Sequence, residues 1–178
     1  MAAPWKPVSK AAWIAGCLAG AAFMAYAALK DGAFLLLDYV NLPVHEAGHL
    51  VFAVFGPVAA VWGGTLLQLI FPAVFLFYFR RRGDAGGAFF SVFWLGESLL
   101  YSSSYIRDAR AMALPLVGGG EHDWNVILGR LNLLSSDQAI ADAVRLAGWL
   151  LLALSLLWFL DKGRRLLSRP GDSPADGH

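Results

Sequence analysis

Cysteine is nearly missing: Cys17 is the only one in 178 residues. That excludes an internal disulfide and any thiolate-built metal site. Charge is scarce as well. Only 15% of the residues are Asp, Glu, Lys or Arg, and the net charge is +1, so there is no basic surface for nucleic acid. What the chain has instead is apolar surface. It is 58% hydrophobic with a mean hydropathy of +0.56, too apolar for an ordinary soluble domain and in keeping with a polytopic helical membrane protein. Cys17 lies in one of the apolar runs and reads as a packing residue.

The hydrocarbon core of a bilayer is about 30 Å thick and a helix rises about 1.5 Å per residue, so a crossing needs about 17–25 apolar residues. Residues 11–29, "AAWIAGCLAGAAFMAYAAL", meet that requirement. The small-residue step Ala25-Tyr26-Ala27 also fits a signal-peptide cleavage site, but the apolar run is long for one. From Phe34 to Phe79 the chain stays apolar for two crossings, with a turn expected near Gly56-Pro57. Pro43 is expected to break or restart the first of these, because it lacks an amide hydrogen. "RRRGDAGG" (80–87) reads as a loop, residues 88–106 as a fourth crossing and residues 140–160 as the last.

Between the fourth and last crossings, Trp124, Ile127, Leu128, Leu131 and Leu134 repeat at helical spacing. This predicts a short amphipathic helix at the membrane interface. Ser135 and Gln138 match a capping box for the final helix. The expected fold is therefore all-α, with about five transmembrane helices plus one interfacial helix. The expected organisation is a single helical domain over residues 1–167, a metal-site core over about 41–125, and a disordered, basic-flanked tail at 168–178. Distribution of Lys and Arg narrowly favours the N-terminus outside.

The unusual stretch is "NLPVHEAGHLVFAVFG", residues 41–56. It sets His45, Glu46 and His49 in an apolar helix, where ionisable groups are costly and usually functional. Residues four apart share one helix face, so both imidazoles can grip one ion. Zinc suits two neutral imidazoles plus a third nitrogen or oxygen ligand, with one position left for water. The ion lowers the pKa of that water towards about 7, and Glu46 is placed to take its proton as general base.

A third ligand must then come from elsewhere. Glu97 sits mid-span and shares a helix face with Tyr101, Ser104 and Asp108. Zinc would justify an ionised carboxylate at such a depth, and Glu97 is preferred. His122 and Asp123, in "GGGEHDWN", are the rivals. Gly118, Gly119 and Gly120 give their loop freedom to reach the metal, and either residue could instead orient a ligating histidine.

"HEAGH" with its apolar continuation, followed by "GGTLLQL", resembles the site-2 protease family of intramembrane zinc metalloproteases, in particular its compact bacterial relatives. The resemblance implies a membrane-embedded core of three helices, with His45 and His49 as zinc ligands and Glu46 as the catalytic base. It further implies hydrolase activity on peptide bonds of membrane-protein or peptide substrates, and residence in a bacterial inner (cytoplasmic) membrane. Gly63, Gly64 and Gln68 are similar to the family's glycine-rich motif and, with Thr65, would line an edge that accepts the substrate backbone. The family's third ligand is an aspartate in a Leu-Asp-Gly context, which this chain lacks. Glu97 in "WLGES" is the nearest equivalent in order along the chain. Two other classes fit less of the sequence. A ZIP-like divalent metal transporter would carry Glu rather than Leu50 after His49. A catalytically silent metal-binding regulator would carry the same ligands.

Overall fold

The computed structural model describes residues 3–30, 32–117 and 121–167. The predicted tail at 168–178 and the Gly118–Gly120 run lie outside these. The described residues are helical, with no strand among them. Ser9 caps the first helix, α1 (Lys10–Leu29), accepting a hydrogen bond from the Ala12 amide at 3.2 Å. Helix α2 (Asp38–Ala53) carries the His-Glu-His motif and runs unbroken through Pro43. The expected break is absent: Pro43 is exposed, and its ring removes one hydrogen bond, to the Tyr39 carbonyl, without ending the helix.

Gly56, at φ 102°, makes the predicted turn into α3 (Pro57–Arg82), and Pro57 begins that helix, where its missing amide is harmless. The expected loop at 80–87 shrinks to Gly83 and Asp84. Gly83 takes φ 68°, which glycine adopts without strain. Asp84 caps α4 (Ala85–Arg107) by accepting from the Gly87 amide at 2.9 Å. Helix α5 (Asp123–Arg130) and a short 3-10 turn (Leu134–Ser136) lead into α6 (Asp137–Leu167). The expected capping box does not form, because Gln138 donates to the Arg107 carbonyl at 2.8 Å instead.

Helices α1, α3 and the stretch Leu134–Leu166 are long and apolar enough to cross a membrane. Helix α2 has 16 residues, and α4 carries Glu97 and a run of serines; neither meets that standard. In space α4 is the central helix, packed on α6 along one side and on α3 along the other. Helix α1 lies against α6 and α2 against α3. One apolar core joins α1, α4 and α6, with Phe89 stacked on Phe159 at 4.5 Å between ring centroids. A second core gathers Ile106, Ala109, Trp124, Ile127, Leu128 and Ala141. Trp124, Ile127 and Leu128 of the stripe predicted for a membrane interface are thus buried, with α5 packed on α3 and α4, while Leu131 is exposed; this packing fixes where α5 begins.

A candidate metal centre

His45 and His49 leave α2 on the same face, their rings 4.9 Å apart and nearly perpendicular. Each directs its Nε2 at one oxygen. Asp123 Oδ2 lies 2.9 Å from His45 Nε2 and 3.2 Å from His49 Nε2. These three side chains bring their ligand atoms within 4.8 Å of one another, a grouping that could hold a metal ion.

The hydrogen bonds around the group decide what it suits. His49 Nδ1 lies 2.8 Å from the Ala60 carbonyl, and only an N–H can donate to that oxygen. In the neutral ring, Nε2 is then a bare lone pair facing the Asp123 carboxylate, another acceptor. Two acceptors at 3.2 Å repel unless a proton on Nε2 or a metal ion stands between them. A carbonyl behind the distal ring nitrogen is also the usual means of orienting a metal-binding imidazole. The residues present therefore fit a divalent cation with nitrogen and oxygen preference, such as zinc. Burial by itself would raise the Asp123 carboxyl, but hydrogen bonds from His45 and His49 outweigh it and hold the group below the ordinary carboxylate value.

His45 is set differently. Its ring rests on Gly64, where a Cβ would stand 2.5 Å from Nε2, and it meets the edge of Tyr105 at 5.7 Å. Its Nδ1 is buried without a hydrogen-bond partner among the described residues. Asp123 is held by its own surroundings: its amide donates to Tyr105 Oη at 3.2 Å, and the preceding residue, His122, caps α5 by accepting from the Asn125 amide at Nδ1. His122 packs at a tilt on Tyr105, ring centroids 4.2 Å apart, and places Nε2 3.3 Å from Asp108 Oδ2. Asp108 in turn accepts from the Ala113 and Leu114 amides, each at 3.0 Å, turning the chain over towards the site.

A cavity of about 550 Å³ opens on this group, with His45, Glu46, His49 and Asp123 on its wall. Glu46 is half-buried there, next to the first histidine and clear of the Nε2 convergence point. Leu114, Pro115, Leu116 and Val117 form an apolar wall of the same cavity.

Several sequence expectations meet a different arrangement. Glu97, preferred as third ligand, does not belong to the histidine group. It is fully buried and faces the first turn of α2, where Asn41 Nδ2 donates to its Oε2 at 2.6 Å. His122 also stays out, its Nδ1 spent on the helix cap. Asp123, its neighbour, is the residue that completes the group. Gly63, Gly64 and Gln68 do not line the cavity. Gly63 presses on Gly48, so that a Cβ on either would strike the other's carbonyl oxygen, and Gln68 is 1% exposed and donates to the Ser98 carbonyl at 3.3 Å. Sequence reading passed over Tyr105 and the Ala60 carbonyl. Nothing local marks a backbone carbonyl or a tyrosine as a partner of a histidine on another helix.

Comparison with known proteins returned no matching family model, no similar curated protein and no similar solved structure. Among the described residues the fold is all-helical, with three helices long and apolar enough to cross a membrane, and it carries a His-His-Asp group that could hold a metal ion.

Proposed function

We propose that the chain is an intramembrane zinc-dependent endopeptidase, with α1, α2, α3, α4 and α6 as five crossings of a bacterial cytoplasmic membrane. The observation that carries this is the convergence of His45, His49 and Asp123 on one point, with Glu46 on the same cavity wall. His45, His49 and Asp123 would hold the ion. Bound there, zinc supplies a Lewis acid that polarises a carbonyl oxygen and makes a water nucleophilic near neutral pH.

The remaining work belongs to the chain. Glu46 accepts the proton of the attacking water and delivers it to the departing amine nitrogen. The Ala60 carbonyl and Gly64 keep the two imidazoles in register. The cavity admits a short extended stretch of polypeptide, and its Leu114–Val117 wall offers apolar contact to membrane-derived side chains. A substrate helix must unwind to react, because its carbonyls are otherwise engaged in its own hydrogen bonds.

The test uses the full chain reconstituted in lipid with a single-span membrane peptide. Glu46→Gln should keep its zinc and lose about 10²–10⁴-fold in cleavage rate, the usual contribution of a general base. Asp123→Ala should lose zinc and activity together. Normal cleavage by Glu46→Gln, or undiminished zinc in Asp123→Ala, would remove the basis of the proposal.

A further inference from the structure

A second polar cluster sits one helical turn before His45. Asn41 is 1% exposed. Its Nδ2 donates to Glu97 Oε2 at 2.6 Å, and its Oδ1 accepts from Trp94 Nε1 at 2.8 Å and from Ser98 Oγ at 3.4 Å. Asp38, at the start of α2 and 3% exposed, accepts from the Leu35 amide at 2.6 Å through Oδ2. One oxygen of each carboxyl remains: Asp38 Oδ1 and Glu97 Oε1 are buried and have no donor among the described residues.

Asp38 stands one turn before Asn41 on α2, and Asn41 holds Glu97, so the two carboxyl groups share one buried corner and act on each other electrostatically. Ionised carboxylates only accept, so two of them side by side, both buried, would repel. One proton between them turns the repulsion into a charge-assisted hydrogen bond, and each carboxyl has an oxygen without another donor among the described residues. This is the arrangement by which neighbouring carboxylates avoid ionising together.

We propose that Asp38 and Glu97 form a proton-binding site, one shared proton held beside the cavity and exchanged with it through Asp38. Asp38 is on the cavity wall, whereas Glu97 lies behind it. The site is distinct from the His45–His49–Asp123 group and does not rest on the endopeptidase reading. The two are nevertheless linked. Tyr101, also on the wall, lies within electrostatic range of Asp38, Glu97, Glu46 and Asp123. Lys30 and Arg145 are the cationic side chains on the same wall. A cation arriving near the histidines therefore favours release of the shared proton, and by reciprocity the loaded proton weakens cation binding.

Infrared difference spectroscopy of the full chain in lipid, near neutral pH, tests this directly. Native protein should show the carbonyl band of a protonated carboxylic acid shielded from water, shifted by exchange into D2O. The band should move in Asp38→Asn, whose amide replaces the acceptor, and vanish in Asp38→Asn/Glu97→Gln. It should persist in His49→Ala even if that variant loses its zinc, which separates this site from the metal centre. Absence of the band in native protein requires no variant to fold and would overturn the proposal. A band unmoved by Asp38→Asn, or retained in the double variant, would overturn it too. So would a band seen only after sodium and potassium are replaced by a bulky organic cation, since the occupant would then be an alkali ion.

Discussion

His49 and Gly64 act on the site through single atoms. The Ala60 carbonyl holds a His49 proton on Nδ1 and turns Nε2 towards Asp123, while Gly64 supplies the space the His45 ring occupies. Gly64→Ala should displace that ring and weaken zinc binding about 10–100-fold, as loss of an orienting contact typically does. Competition with a chromophoric chelator would measure it, and unchanged affinity would show that the ring has room to spare. Glu97→Ala should retain zinc, because the Glu97 carboxyl is engaged with Asn41 and not with the histidines. The motif made His45, Glu46 and His49 legible from their spacing alone. Asp123 was legible only as one of several rivals, since a side chain brought from 74 positions downstream of His49 leaves no periodic trace.

Helix α5 places Asp123, and it does so by packing. Ile127 is 2% exposed in the second apolar core. Ile127→Ala should cost about 2–5 kcal/mol of stability and weaken zinc binding as well, because Asp123 rides on the same eight-residue helix. A thermal-unfolding scan paired with zinc titration would check both effects. Helices α4 and α6 meet through Gly96 and Gly148, where a Cβ on Gly148 would stand 2.8 Å from the Gly96 carbonyl oxygen. Small residues at such crossings let membrane helices approach closely. Gly148→Leu should therefore destabilise the chain by about 1–3 kcal/mol through overpacking, read as a lowered Tm. Helix positions were readable from apolar runs and turn residues. Continuity of α2 through Pro43 was not, because one lost hydrogen bond is offset by tertiary contacts that the local sequence does not contain.

At the scale of the molecule, the number of crossings has a simple signature. Five crossings put Arg82, at the α3–α4 turn, and Ser135, before α6, on opposite sides of the membrane. Three crossings, by α1, α3 and α6 alone, put them on the same side. Both positions are exposed. Arg82→Cys and Ser135→Cys, each in a Cys17→Ala background, should label from opposite faces with a membrane-impermeant maleimide. Labelling from one face would reduce the count to three.

The amino-acid sequence by itself determined that the chain is helical and apolar, where most helices lie, and which two histidines of one helix share a face. Those properties follow from hydropathy, periodicity and the four-residue spacing of His45 and His49, all of them local. Tertiary structure alone decided that Asp123 joins the histidines, that Glu97 turns to Asn41 and Asp38, and that Gly64 lies under an imidazole. Each of these depends on how helices rotate and cross, and that is set by side-chain packing between segments far apart in the chain.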